Sequence, residues 1–293
     1  MSIVDLSELP APDVLEPLDF EEVYAERLGV FREFMGDNWS APLESDPVVK
    51  LLEVGAYVGI GDRARVNDAA KALLLAHAIR GDLDQLGANV NTPRLVIQAA
   101  NLSAIPPVEE VREGDDAYRE RIQLAYEGLT TAGPRNSYKL HARNASALVA
   151  DASAESPSPA CVTVTVLGLS GDGAVGPELL AVVASALNDE NVRPLGDRVT
   201  VQSAQVLPYR VDAVLHMKGP GPESAVALAE AERRLAAWIN PRKRLGVEVA
   251  RSAVDAQLHV PGVSRVELTA WMDLAPTTAQ AAFCTGYSVK LGE

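Results

Sequence analysis

The segment from Val48 to Ile60 constrains the fold most, because its pattern is helical and apolar side chains point in nearly every direction around the axis. Lys50 and Glu53 are its only charged residues. A helix that is apolar all round is buried on all sides. Two interpretations are open from the residues alone: this is the central helix of one globular domain, or it is shared in a bundle with other subunits.

A pair of glycines lies on one face of this helix. Gly55 and Gly59 are four residues apart, and glycine inside a helix costs about 1 kcal/mol relative to alanine. The pair therefore predicts close backbone approach by a neighbouring helix. Pro47 suits the first turn, Gly59 with Gly61 predicts a kink, and Gly81 is expected to end the helical pattern.

The composition is that of an ordinary soluble protein and argues against two classes of partner. Of the 293 residues, 47% are hydrophobic and 23% are charged, and the formal net charge is -14. Phosphate binding favours positive charge, and no Lys/Arg-rich run occurs, so we expect no nucleic-acid partner. The chain has no signal-peptide pattern and no apolar run of about 18 residues, so we expect no membrane partner.

The first 18 residues are predicted to form an extended arm, because three prolines among acidic and small residues cannot continue a helix. A helix follows. Asp19 and Glu22 have capping-box spacing at its start, and Gly36 is a stop signal at its end. The apolar stripe of this helix, interpreted as core packing rather than a cofactor site, is Phe20, Tyr24, Leu28, Phe31 and Met35.

The remaining pattern predicts an α+β fold, in which an N-terminal helical, bundle-forming segment precedes small modules of sheet and helix. We expect an irregular linker over 91–114, a helix capped by Asp115 or Asp116, a break at Ala132–Pro134 and a helix over 136–147. From Leu148 the period changes from helical to strand-like. Strands are predicted over 148–155, 161–168, 197–206, 209–217, 263–271 and 282–293, with helices over 177–188, 223–239 and 251–260.

This pattern divides the chain into five segments. They are an arm (1–18), a helical core-bundle segment (19–90), a linker with a second helical region (91–147), an α+β module (148–217) and a C-terminal α+β module with a tail (218–293). The last segment is expected to carry ring or dimerisation contacts, since an exposed edge strand invites pairing with another chain.

One short motif has a catalytic appearance. Gly171–Gly176 fits G-x-G-x-x-G after a predicted strand and before a predicted helix, which is the setting of a dinucleotide-binding loop. Such a unit needs glycines that open the helix directly and a following strand that ends in an acidic residue. Here Pro177 begins the helix, and the next strand has no such acid. We prefer a flexible polar loop, and a nucleotide-binding enzyme is the alternative.

No other pattern indicates catalysis, a cofactor or a metal. The four histidines are isolated, without a histidine partner three or four residues away, whereas metal sites need several ligands at short spacing. Cys161 and Cys284 lie in apolar, strand-like surroundings, which predicts small buried thiols rather than a disulfide. We expect no enzymatic activity, no catalytic residue, no cofactor and no metal site.

Longer stretches carry a family resemblance, in the same order along nearly the whole chain. They are Ile3–Glu21, Leu43–Glu53, Arg65–Ala76, Asp82–Asn89, Tyr118–Pro134, Ser156–Leu167, Asn191–Ala204 and Gly262–Ala270. On these stretches the chain resembles the baseplate J-like proteins of contractile-tailed phages and of R-type pyocins, which are headless tail particles (bacteriocins).

The resemblance implies a structural wedge subunit of a baseplate. Two copies would join one copy of a second wedge protein in a 2:1 heterotrimer, whose N-terminal helices form a three-helix bundle. C-terminal domains would meet neighbouring wedges in a sixfold ring around the central hub. A sheath initiator, a wedge protein with a lysozyme-like fold, is a further expected partner. The chain would be assembled in the cytoplasm of the bacterial host and become part of the tail particle, phage or bacteriocin.

The implied mechanism is mechanical: the ring holds the sheath extended, and ring expansion on receptor contact starts contraction. Candidate hinges are Asn91–Gly114 and Gly133–Pro134. A scaffold inside the cell without tail association is a third option. The polar patch within 63–68 is either a solvated face or a set of ion pairs between subunits. The residues predicted to contact other subunits are Val48, Leu51, Leu52, Gly55, Val58, Gly59, Arg63, Arg65 and Asn67.

Overall fold

A computed structural model of the protein describes residues 4–10, 12–36, 43, 45–128, 133–219, 221, 223–240 and 244–292. The chain divides into two compact units, Met1–Pro93 and Arg94–Glu293. The mixture of helices with small sheets confirms the predicted α+β class. The helices are α1 (Phe20–Met35), α2 (Pro47–Ala72), α3 (Arg80–Asn89), α4 (Asp115–Leu124), α5 (Arg135–Ala145), α6 (Pro177–Leu187), α7 (Glu223–Trp238) and α8 (Arg251–Leu258). The strands are β1 (Val96–Gln98), β2 (Val111–Arg112), β3 (Val149–Ser158), β4 (Cys161–Gly168), β5 (Arg198–Ser203), β6 (Gln205–Met217), β7 (Val263–Leu268) and β8 (Gln280–Leu291).

The first unit is built on the packing of α1 against α2. Asp19 caps α1, because its side chain accepts a hydrogen bond from the backbone N–H of Glu22 (3.1 Å), and Gly36 ends the helix at a φ of 56°. Asp46 caps α2 in the same way through the N–H of Val48 (2.8 Å), with Pro47 in the first turn. The predicted start of each helix is confirmed.

The predicted end of the long helix is wrong. The helix α2 continues without interruption through Gly61 and ends at Ala72, whereas Gly81 lies inside the next helix, α3. Between the two helices the chain closes turns instead, and Ala78 is buried there. Periodicity alone could not reveal this end, because apolar residues continue through the turns.

The segment predicted as an irregular linker contains a small antiparallel ribbon of β1 and β2. A buried ion pair holds its base: Arg121 donates to both carboxylate oxygens of Glu113, at 2.9 and 2.7 Å. Arg121 also donates to the side chain of Asn144 (2.7 Å), which lies in α5. Arg94 donates to the Glu113 carbonyl (2.8 Å) and lies over the ring of Tyr118. The ribbon is therefore tied to α4 and α5 and is not a free linker.

The cap predicted for the following helix is also wrong. The N-cap of α4 is Gly114, and Asp115 and Asp116 occupy its first turn. Carboxylates are favourable there because they face the positive end of the helix dipole. Asp115 additionally pairs with Arg94 at 2.7 Å. The predicted break at Ala132–Pro134 begins outside the described residues, and Pro134 is the residue that precedes α5.

The second sheet has β4 at its centre, with β3 antiparallel on one side and β5 parallel on the other. The helix α6 connects β4 to β5, since parallel neighbours require a crossover, and Pro177 is its first residue as predicted. Apolar side chains of α5 and α6 pack on the sheet. The buried members of this core include Tyr138, Ala142, Val164, Val166, Val183 and Leu187.

The third sheet has the order β7-β6-β8, with β7 antiparallel and β8 parallel to the central strand. The strand β6 falls in the predicted 148–217 segment, but the strands that it pairs with, β7 and β8, fall in the predicted 218–293 segment. A boundary at 217/218 would cut through this sheet. The sheet buries its core beneath α7 and α8, whose buried members include Val211, Leu215, Ala231, Leu235, Val254 and Leu258.

Candidate assembly surface

The two glycines of α2 face α1, and a side chain rather than backbone crosses them. A Cβ atom added at Gly55 would lie 3.1 Å from Nη1 of Arg27, and one added at Gly59 would lie 2.8 Å from Nη2 of the same residue. Val23 of α1, which is buried, lies 3.4 Å from the position of a Cβ at Gly59. The glycines therefore face α1, but the space they leave holds the Arg27 guanidinium, and the nearest atoms belong to side chains rather than to the backbone that was predicted.

The stripe of α2 beside Gly55 and Gly59 is apolar and exposed. Leu51, Val54 and Val58 follow each other at helical spacing and are 71%, 62% and 57% exposed. The buried residues Val49 and Ala56 lie on the opposite side. Within the described residues of this chain, α2 is thus covered on one side only.

The exposed apolar surface extends onto α1. Val30 and Phe34 follow Arg27 at i+3 and i+7 and are 53% and 88% exposed. Because Arg27 lies over the glycines of α2, these side chains flank the same seam between the helices. We call the surface around Arg27 the open face; it consists of Val30, Phe34, Leu51, Val54 and Val58.

Arg27 itself has no hydrogen bond or ion pair with any described residue. Its guanidinium lies on a surface of glycines and apolar side chains, and it is exposed. Sequence analysis missed this residue, because an arginine at the edge of a helical stripe resembles a solvated side chain. The available signal was the glycine pair, which requires something to fill the space above it.

Two of the predicted contact residues hold the N-terminal arm instead. The amide of Asn67 accepts from the backbone N–H of Glu16 (3.0 Å) and donates to its carbonyl (2.8 Å). Arg63 pairs with the carboxylates of Glu16 (3.0 Å) and Glu26 (2.9 Å). These polar groups are satisfied within the chain. Their predicted contact with other subunits stays a prediction.

The other predicted contact residues differ in exposure. Leu51, Val58 and Arg65 are exposed, whereas Val48, Leu52, Gly55 and Gly59 are half-buried. The exposed members lie on or next to the open face. A role in subunit contact stays a prediction for all of them.

The glycine-rich loop uses its backbone amides internally. The N–H of Gly173 donates to Ser170 O (3.2 Å), that of Ala174 to Asp172 Oδ1 (3.0 Å), and that of Val175 to Ser203 Oγ (2.9 Å). A Cβ at Gly173, which has a φ of +97°, would lie 2.5 Å from Leu167. A phosphate cradle needs amides that point at the ligand. The loop is a hydrogen-bonded turn, so the glycines serve its geometry.

The described part of the chain offers no cluster of metal ligands. Among the described residues no group of three or more His, Cys, Asp or Glu side chains could hold a metal ion. Cys284 is buried, Cys161 is half-buried, and both are free thiols. Burial lowers the pKa of His141, whose Nε2 has no hydrogen-bond partner. Among the described helices, none is both long and apolar enough to cross a bilayer.

Comparison with known proteins identifies the family. The model of the baseplate J-like N-terminal domain matches residues 44–101, and that of the baseplate J-like central domain matches residues 130–203. Baseplate protein J of Escherichia phage P2 is 49% identical over 299 aligned positions, which cover 100% of this chain and 99% of the phage protein. The chain belongs to the baseplate J-like family. It is a structural component of a phage-type tail baseplate.

The family matches fall on defined parts of this baseplate J-like protein. The N-terminal domain match includes α2 and α3, and the central domain match runs from α5 to β5. A chain of the cryo-EM structure of the anti-feeding prophage baseplate, which is sixfold symmetrised, matches 66% of this chain at 14% identity and a TM-score of 0.37. This chain spans about half (49%) of the length of that one. At this TM-score and identity, the similarity supports no conclusion about this chain.

Proposed function

We propose that this baseplate component is a wedge subunit that forms the ring around the central hub and couples receptor contact to sheath contraction. The observation that carries the proposal is the open face. Monomeric proteins rarely expose contiguous apolar surface of this kind without a partner. A helix that is apolar all round but covered on one side only needs further polypeptide to complete its burial.

The occupants proposed for the open face are other wedge proteins. A second copy of this chain and one copy of a second wedge protein would pack their helices here, giving the 2:1 heterotrimer. The C-terminal unit would contact neighbouring wedges of a sixfold ring, since closed rings need interfaces that return on themselves. The sheath initiator is a further proposed partner, and assembly takes place in the host cytoplasm.

During contraction, rigid parts of the chain are proposed to move relative to one another about hinges. The buried pair of Glu113 and Arg121 fixes the β1–β2 ribbon to α4, so the ribbon moves with the C-terminal unit. That narrows the first candidate hinge, Asn91–Gly114, to its N-terminal end at Asn91–Pro93. The second candidate hinge, at Gly133–Pro134, follows residues outside the described part of the chain.

The test is the variant Val54→Asp with Val58→Asp. Two carboxylates on the open face cannot be buried without partners, so we expect loss of assembled tails when this variant replaces the chain in a tail-producing strain. The matched control is Leu73→Asp with Ile79→Asp, which changes exposed apolar residues that follow α2 and lie outside the open face. Tail yield and the presence of the chain in purified particles are measured. Tails formed at normal yield by the first variant would contradict the proposal.

A further inference from the structure

The open face combines apolar side chains with one unpaired cation. The guanidinium of Arg27 lies over Gly55 and Gly59, and the exposed apolar residues of the open face are on the same two helices. The glycines hold it in place without offering a hydrogen-bond acceptor from a side chain. Arg27 thus lies between the two helices whose exposed apolar side chains the proposed function requires to become buried.

Burial of an unpaired charge is strongly unfavourable, and pairing with hydrogen bonds offsets most of the cost. The planar guanidinium binds a carboxylate through two parallel hydrogen bonds, which fixes both position and orientation. Whatever covers the open face must therefore present a carboxylate opposite Arg27.

This chain carries such a carboxylate on the exposed stripe of α2. Asp62 follows Val58 by four residues, so it continues the exposed stripe of α2. It is exposed and has no partner among the described residues. The stripe that is apolar at Val54 and Val58 therefore ends in a carboxylate, the group that can pair with the Arg27 guanidinium.

We propose that Arg27 pairs with Asp62 of a second copy of this chain when the two copies pack on their open faces. The inference rests on the proposed function, since it names the contact that a second copy makes. Each copy holds both the cation and the anion, so the surface is self-complementary, as a two-fold contact between identical subunits requires. The ion pair would make the apolar surface specific for a second copy, because charges contribute to specificity more than to affinity.

The experiment is a charge exchange measured by sedimentation velocity of the purified full chain. Arg27→Asp and Asp62→Arg each place like charges in contact, and we expect each to weaken self-association about tenfold. The double variant restores opposite charges in reversed order and is expected to return to within about threefold of the natural chain. Arg32→Asp, which changes an exposed arginine on the same helix, is the matched control and is expected to change little.

A second variant tests the seat of the guanidinium. Gly59→Ala places a Cβ 2.8 Å from Nη2 of Arg27. Alanine is favoured over glycine in helices, so circular dichroism is expected to show an intact helix with an unchanged or higher Tm. Self-association is nevertheless expected to weaken about tenfold, because the guanidinium is displaced.

Three outcomes would overturn the inference. The first is that the single variants associate normally, and the second is that the double variant associates no more tightly than the single ones. The third is a natural chain that stays monomeric at about 100 µM, which is roughly a hundred times the Kd of a dimer of micromolar affinity. Tail formation distinguishes failure of this inference from failure of the proposed function. If Arg27→Asp supports normal tails while the Val54 and Val58 variant does not, the wedge assignment stands and the Arg27 contact is wrong.

Discussion

Arg121 is the largest fully buried side chain among the described residues, although it is charged. Its partner Glu113 is also buried and accepts hydrogen bonds at both carboxylate oxygens. The positive charge of Arg121, which is removed from water, is therefore balanced by the adjacent negative charge. A buried pair of this kind adds little net stability over an apolar core, but loss of one partner leaves an uncompensated charge. The pair is therefore a sensitive point of the C-terminal unit.

Glu113→Gln is expected to destabilise the C-terminal unit by about 3–5 kcal/mol, because the Arg121 charge then stays buried without its counterion. Urea unfolding followed by the circular dichroism of the strands measures the effect. Glu230→Gln is the matched control: Glu230 pairs with Arg233 and Arg234 on an exposed surface. Exposed pairs contribute about 0–1 kcal/mol. Equal midpoints for the two variants would contradict this interpretation of the buried pair.

Single residues were predictable where a local rule decides their role. Asp19 and Pro47 mark helix starts through caps and fixed dihedrals, and both are confirmed. Glu113 could not be found, because it lies in a segment without periodicity and its partner is eight residues away on another element. Arg27 could not be found either, since its position depends on how α1 crosses α2.

The N-terminal arm is held by a small set of polar contacts, and one side chain supplies two of them. The amide of Asn67 satisfies both backbone groups of Glu16, and Arg63 pairs with the Glu16 carboxylate. Asn67 is itself buried, which indicates that the arm is attached at this point.

Asn67→Ala is expected to release the arm. Two hydrogen bonds are lost, each worth about 1 kcal/mol, so cleavage of the Val14–Leu15 bond by thermolysin is expected to accelerate about thirtyfold. Arg65→Ala, which truncates an exposed side chain on the same helix, is the control. Cleavage rates that match between the two variants would show that the arm is attached elsewhere.

Elements were predictable where one face is buried and the other is not. The strands β3 and β4 and the helix α6 were found from periodicity and turn residues. The ribbon of β1 and β2 was missed, because its strands are short and mostly exposed and so show no alternation. The helix α3 was missed because Gly81 resembles a stop signal. Tertiary contacts decide both cases.

At the scale of the whole molecule, the two units differ in how much they bury. Among the described residues of the N-terminal unit, the buried apolar side chains are Val23, Val49, Ala56, Ala78 and Leu83. The C-terminal unit has extended cores beneath both of its larger sheets. Burial of one large apolar side chain contributes about 1.5–3 kcal/mol, whereas ordering a residue costs about 1–2 kcal/mol. The sequence indicated that α2 needs cover on all sides but could not tell which polypeptide supplies it.

This imbalance predicts that the free chain opens locally in its N-terminal unit. Hydrogen exchange followed by mass spectrometry is expected to show amides of α2 exchanging at least about a hundredfold faster than those of β4 and β6, since local opening follows burial. Incorporation into tails is expected to slow exchange in α2 and to leave β4 unchanged, because only the helix gains cover. Equal protection of α2 and β4 in the free chain would mean that α2 needs no other polypeptide, and the wedge proposal would then lose its physical basis.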